Sequence, residues 1–195
     1  MKKKAIVLLS AGLDSTVNLF QAHQEREIIL ALTFIYGQKA ALKEIEKARL
    51  LCKRLDVPHR VLELAWMRDF TFTSLLNDEV SIPQAEEVNI HSLAQSQKTA
   101  QKVWVPNRNG IFLNIAAGYA EGLGAHQVVV GFNQEEGATF PDNTPEFLTS
   151  LTQSLSFSTA TQVEVVCYTT DKNKTEIVQM GQLLGVPFQD LWPCY

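Results

Sequence analysis

The chain has 195 residues, 46% of them apolar and 19% charged, with 17 basic side chains against 21 acidic and a formal net charge of −4. This is the balance of one globular domain able to bury a core, and it lacks the basic surplus of a nucleic-acid-binding surface. No apolar run approaches the roughly 18 residues of a membrane span, and three widely spaced cysteines, Cys52, Cys167 and Cys194, make no disulfide framework. The apolar run after the basic start is too short for a signal peptide, so the cytoplasm is the expected compartment.

Taken in chain order, Ala5 to Leu9 is a continuous aliphatic run, the mark of a strand buried on both faces. A helical pattern starts at Asp14. Ile28 to Phe34 reads as a second strand, followed by an amphipathic helix whose stripe is Leu42, Ile45, Ala48, Cys52 and Leu55, stopped by Pro58. Arg60 to Trp66 is a third strand, Asn109 to Gly124 a helix and His126 to Phe132 a fourth strand. A helix opening at Pro145, a strand in Gln162 to Tyr168 and a helix opening at Lys174 complete the series. Strands alternating with helices predict a doubly wound five-stranded parallel sheet, with helices on both faces and a single domain over 1–195. The polar stretch over 77–102 interrupts the rhythm and is expected to be a lid or loop.

The first strand runs into "SAGLDST", Ser10 to Thr16. Ligands of open parallel sheets sit beyond the carboxyl ends of the strands, and successive N–H groups at a helix start make a nest for an anion. Gly12 can take a positive φ and lets the backbone approach a ligand closely. Ser10, Ser15 and Thr16 add hydroxyls, and Asp14 either caps the helix or helps to hold Mg²⁺ beside a nucleotide. Neither G-K-[ST] nor G-x-G-x-x-G is present, and an ordinary capped turn stays open on these residues alone.

The loop resembles the SGGxDS loop of the PP-loop ATP pyrophosphatases. "FIYGQ" (Phe34 to Gln38), "VWVPNRNG" (from Val103), "GFNQEEGATFPDNTPEF" (from Gly131) and "LWPCY" (from Leu191) are similar to the DYGQ, YVPARN, GVN…YPDCRPEF and TWSCY segments of the 7-cyano-7-deazaguanine synthase family. The resemblance runs in order along nearly the whole chain. It implies an adenine nucleotide alpha hydrolase-like fold and a ligase that uses ATP and Mg²⁺. Such a ligase converts a small-molecule carboxylate, 7-carboxy-7-deazaguanine, and ammonia to the nitrile through an acyl-adenylate. It also implies a homodimer, with neither membrane nor direct nucleic-acid binding.

Carried onto this chain, the resemblance gives Ser10, Ala11, Gly12, Leu13, Asp14, Ser15, Thr16, Phe34 and Gly131 to the nucleotide. It gives Gln38, Arg108, Asn109, Asp142 and Glu146 to the substrate, and Asp14, Arg108 and Lys174 to catalysis. A surface ion pair is the ordinary alternative for Arg108. For Glu146 it is a first-turn acid complementing a helix dipole. Lys174 opens a helix, where a cation opposes the dipole, so an anion contact is expected there.

The sequence departs from the family's pattern at several places. Cys194 matches the first of the family's four zinc cysteines, and one thiolate does not make a zinc site, so zinc is expected only if a C-terminal tail supplies further ligands; otherwise this member dispenses with it. Cys52 and Cys167 read as core residues, and His23, His59, His91 and His126 have no metal-ligand spacing. Ala11 stands for a loop glycine, which requires a negative φ if the methyl is to fit. Ile35 stands for an aspartate, Asn143-Thr144 for Cys-Arg, and Glu135-Glu136 also differ. These are expected to cluster in the base pocket. They leave open a paralogue that adenylates another carboxylate, or a nucleotide sensor without catalysis. A thiolating enzyme would need reactive cysteines near the nucleotide, and the cysteine positions argue against it.

Overall fold

The computed structural model describes residues 2–71 and 103–192. Five strands, β1 (Lys4–Leu8), β2 (Glu27–Ile35), β3 (His59–Glu63), β4 (Gln127–Val129) and β5 (Glu164–Val166), form one all-parallel sheet in the order β3-β2-β1-β4-β5. Six α-helices among the described residues connect them: α1 (Leu13–Glu25), α2 (Ala41–Leu55), α3 (Arg108–Gly122), α4 (Gln134–Gly137), α5 (Pro145–Ser158) and α6 (Lys174–Leu183). The expected doubly wound architecture is the one observed. The predicted segment at 77–102 lies outside the described residues. Among those described, no helix is long and apolar enough to cross a membrane.

The alternation of β1 shows why both faces must be covered. Ile6 and Leu8 enter one apolar cluster with Leu113, Ala116 and Leu155, whereas Ala5, Val7 and Leu9 enter a second with Val17, Leu51 and Ile177. The first is built on α3 and α5, the second on α1, α2 and α6. Cys52 belongs to the second, and burial pushes its thiol up to about 12.

Several predicted boundaries move for local reasons. Trp66 lies not in β3 but in a 3₁₀ turn over Ala65–Phe70. β4 stops early because the polar groups of Phe132 turn to side chains: its N–H meets Cys167 Sγ at 3.3 Å, and its carbonyl accepts from Thr169 Oγ1 at 2.6 Å. Gln162 has φ +51° and so precedes β5 rather than joining it. α2 ends at Asp56, itself left-handed at φ +53°, two residues before Pro58. Leu42 is 82% exposed in the first turn of α2 and is not part of the buried stripe.

β1 lies between β2, which follows it, and β4, which comes much later, so the order of strands reverses between β1 and β4. Fully buried Asn18 locks this point. Its amide donates to the Asp14 carbonyl at 2.8 Å and to Thr169 Oγ1 at 2.6 Å, and its Oδ1 accepts from the Tyr168 N–H at 2.7 Å. Replacing it by the near-isosteric Asn18→Leu leaves the Tyr168 N–H without its acceptor, at a cost of about 1–3 kcal/mol. The expected result is a lower urea midpoint with an unchanged slope, and an unchanged midpoint would show the network to be dispensable.

Candidate active site

A cavity of about 630 Å³ opens at the carboxyl ends of β1, β2 and β4. One end is the turn from β1 into α1. Ser10 Oγ and Ser15 Oγ lie 3.1 Å apart, Gly12 N–H reaches Ser10 Oγ at 3.4 Å, and Ser15 Oγ donates to the Gly12 carbonyl at 3.3 Å. These bonds are long, so the hydroxyls can be redirected to a ligand at small cost. Gly12 is the N-cap of α1, and no side chain caps the orphan N–H groups that follow.

The conformation of the turn reverses the expectation. Gly12 has φ −73°, and the left-handed residue is Ala11, with φ +63° and a fully buried methyl. The glycine that the geometry requires is Gly131, just beyond β4. A Cβ there would lie 2.4 Å from the Ser15 nitrogen and 2.5 Å from the Asp14 carbonyl carbon. Gly131 lines the cavity, and its lack of a side chain is what lets β4 approach the first turn of α1.

Asp14 does not cap the helix. Its Oδ2 accepts from Lys174 Nζ at 2.8 Å and from Asn133 Nδ2 at 3.0 Å, while its buried Oδ1 has no hydrogen-bond partner among the described residues. Burial raises the Asp14 carboxyl above its ordinary value despite the lysine. Lys174 Nζ also meets Glu136 Oε1 at 3.2 Å. Burial opposes its charge, but the two carboxylates outweigh that and hold Lys174 above its ordinary value. The anion contact expected for Lys174 is therefore made within the protein. The N-terminus of α6 is otherwise satisfied by an Asn173–Glu176 capping box and by Glu135, which accepts from the Lys174 N–H at 3.1 Å.

The other end of the cavity is lined by Tyr36, Trp104, Arg108, Asn109, Phe112, Phe140, Asp142 and Asn143. Asn107, left-handed at φ +51°, opens α3, and its side-chain amide lies over Gly110, where a Cβ would fall 2.1 Å from Oδ1 and displace it. Arg108 Nη1 donates to the Tyr36 hydroxyl at 3.4 Å, and Asn109 Nδ2 to the main-chain carbonyl of Asp142 at 3.3 Å. Asn143 Nδ2 donates to Asp142 Oδ1 at 3.0 Å. Burial raises the Asp142 carboxyl above its ordinary value, with the nearby Arg108 charge, the backbone N–H groups of Asn109 and Asp142 and the Asn143 amide pulling the other way.

Of the residues read from the sequence, Ser10, Gly12, Leu13, Asp14, Ser15, Phe34, Gly131, Arg108, Asn109, Asp142 and Lys174 line this one cavity. Ala11, Thr16, Gln38 and Glu146 do not. Thr16 is fully buried with its hydroxyl unpartnered among the described residues. Gln38 is consumed locally, accepting from the Tyr36 N–H and donating to the Phe34 carbonyl and to Glu44, each at 2.9 Å. Glu146 is an exposed first-turn residue of α5. Cys194 lies outside the described residues, and among those described no three His, Cys, Asp or Glu side chains are grouped to hold a metal. The departures do not cluster as expected either: Asn143 and Glu136 line the cavity, but Ile35 and Thr144 do not, Thr144 being the N-cap of α5. Glu44, Trp104 and Phe140 were not singled out in the sequence, although Trp104 and Phe140 lie inside the two segments whose similarity is most particular.

A strand–turn–helix cradle at the switch point of a parallel sheet, faced by a lysine from a later helix, defines the nucleotide-binding α/β proteins of the PP-loop type. Solved structures of that architecture superpose on it. A 4-thiouridine synthetase–RNA complex with bound ATP covers 94% of this chain and 41% of its own, at 23% identity and a TM-score of 0.54. The NH3-dependent NAD synthetase from Campylobacter jejuni covers 97% and 67%, at 16% identity and a TM-score of 0.50. Those likenesses give the fold alone.

The particular family comes from sequence. The model of the family described as Queuosine biosynthesis protein QueC matches residues 4–195. The chain is 55% identical over 194 residues to the 7-cyano-7-deazaguanine synthase of Bdellovibrio bacteriovorus, covering 99% of this chain and 84% of that one. It is 48% identical over 192 residues to that of Pelotomaculum thermopropionicum, with 98% and 87% covered. The chain belongs to the QueC family.

The raised Asp142 carboxyl makes a prediction about stability. A carboxylate whose folded pKa lies above its unfolded value costs folding free energy once the pH exceeds both. Asp142→Asn, which keeps the shape, is expected to melt at or above the wild-type temperature at pH 7.5. The difference should shrink as the pH falls into the carboxyl's own titration. A variant clearly less stable than wild type at pH 7.5 would contradict this.

Proposed function

We infer that this chain carries out the 7-cyano-7-deazaguanine synthase reaction, turning 7-carboxy-7-deazaguanine and ammonia into the nitrile at the expense of ATP. The observation that carries this reading is the cavity itself. One end offers N–H groups, hydroxyls and Lys174 to a polyphosphate. The other offers Asp142 to a donor-bearing base edge and Arg108 to a carboxylate. Ile35 and Thr144, which lie off the cavity, give no support to a different substrate.

In the first half, an oxygen of the substrate carboxylate attacks the α-phosphorus of ATP and the bond to pyrophosphate breaks, leaving an acyl-adenylate. The N–H groups at the start of α1 and the Lys174 ammonium take up the departing charge. The nitrogen of ammonia then attacks the acyl carbon, AMP leaves and a proton is lost, giving the amide. In the second half, the amide oxygen attacks the α-phosphorus of a further ATP and pyrophosphate leaves, placing an adenylyl group on that oxygen. Loss of AMP and the remaining N–H protons leaves the carbon–nitrogen triple bond. No protein nucleophile is needed, and Arg108 and Asn109 orient the reacting group.

Asp14, whose Oδ1 has no hydrogen-bond partner among the described residues, and Glu136, which meets the same lysine, are carboxylates suited to a hard cation, which takes one or two carboxylates together with substrate phosphates. Mg²⁺ held there would neutralise polyphosphate charge and polarise the α-phosphate.

Protein incubated with Mg²⁺-ATP, ammonium and 7-carboxy-7-deazaguanine should yield nitrile and AMP by mass spectrometry. AMP without nitrile would move the substrate elsewhere. Lys174→Met should lower turnover about 100-fold or more while nucleotide still binds. Turnover close to wild type would remove Lys174 from the chemistry.

A further inference from the structure

Trp104 and Phe140 line the cavity, yet among the described residues neither belongs to, or packs against, the two apolar clusters that cover the sheet. They face each other instead, with ring centroids 6.0 Å apart and planes 12° from parallel. The other stacked pair among the described residues is different: Phe34 and Phe112, 4.3 Å apart, are both packed into the first cluster. Rings left out of the core and set on a cavity wall gain their burial when a ligand covers them.

Their positions are tied to the polar groups beside them. The Phe140 N–H donates to the Glu136 carbonyl at 2.7 Å, and its own carbonyl accepts from Asn143 N–H at 3.1 Å. Asp142 is two residues on, so this ring and that carboxylate move as one unit. Trp104 comes from the opposite segment, next to Val105, whose carbonyl accepts from Arg108 N–H at 3.2 Å. A flat heterocycle bearing a carboxylate finds here a face to stack on, an anion for its donor edge and a guanidinium.

The donor edge discriminates between the two heterocycles in the reaction. A guanine-type edge presents an amino group and a ring N–H, both donors to a carboxylate. Adenine presents an amino group beside a ring nitrogen that is an acceptor and is repelled by it. We propose that Trp104 and Phe140 are the stacking faces that select the deazapurine carboxylate, and that they do not serve the adenine of ATP. This rests on the synthase reading given above and names the residues that impose its substrate choice.

The experiment compares wild type with Trp104→Leu, Phe140→Leu and Trp104→Phe. It measures the KM of each substrate by nitrile and AMP release, and nitrile binding without ATP by calorimetry. Each leucine variant is expected to raise the KM of the deazapurine carboxylate, and the Kd of the nitrile, about 10- to 100-fold. The ATP KM should stay within about twofold, which also reports an intact fold, and Trp104→Phe should restore most of the loss. Leucine variants that leave the deazapurine KM and nitrile Kd unchanged overturn the assignment. So does an equal rise in the ATP KM with the fold intact by thermal melting. Wild-type protein that makes no nitrile overturns the synthase reading itself and the assignment with it, a result distinct from the other two.

Discussion

The contact on which the rest of the molecule depends is backbone on backbone: Gly131 against the first turn of α1. No side chain fits between them, since even a Cβ would fall 2.4 Å from the Ser15 nitrogen. The approach carries Asn133 onto Asp14 at 3.0 Å. The chain from Gln134 then runs through α4 to Phe140 and Asp142, which line the other end of the same cavity. One segment therefore holds the turn into α1 and the Asp142 carboxylate, at the two ends of one cavity, at a set separation. A reaction that joins the α-phosphate of one molecule to the carboxylate of another needs such a separation, because proximity contributes only when both partners are held near the geometry of attack.

Electrostatics around Lys174 follow from the same arrangement. A lysine at the first position of a helix opposes the dipole by a few tenths to about 1 kcal/mol. Here Glu135 takes its N–H, the capping box satisfies the neighbouring groups, and Asp14 and Glu136 both meet its ammonium. The lysine is thus kept charged and held at the mouth of the cradle. Its side chain is about half exposed, so these pairs are screened and act on orientation more than on folding free energy. Asp142 is the opposite case: burial dominates its environment, and the protein carries a carboxylate there at a cost to stability.

The fold was legible because it rests on short-range periodicity. The alternation of β1 and the small-residue face of α3, with Ala116, Ala117 and Ala120 buried, are written into consecutive residues. Where prediction failed, the cause was a partner far along the chain. Thr16 follows the loop in sequence but points into the core, and Gln38 is spent on its own turn and on Glu44. Cys167 and Thr169 take the polar groups that would have lengthened β4. Trp104 and Phe140 come from segments 36 residues apart in number, and no local pattern says that their rings meet. The family's motifs brought most of the cavity together, but only the coordinates separate residues that face it from those that support them.

Ala11 shows how a departure from pattern can leave function's geometry alone. A left-handed alanine costs about 1–2 kcal/mol relative to an ordinary conformation. Its methyl is fully buried in the second cluster, returning about 0.8 kcal/mol, and its carbonyl accepts from the Trp192 N–H at 3.0 Å. Conformations of this kind persist when their surroundings leave no alternative. Leu9 is tied to Leu32 before the turn and Thr16 to Gly12 after it, so the path between is closed on both sides. The residues that line the cavity are not Ala11 but Gly12 and the three after it, where φ is ordinary at the cap and the N–H groups are free of the strain. The strain therefore bears on stability, and the cradle keeps its shape.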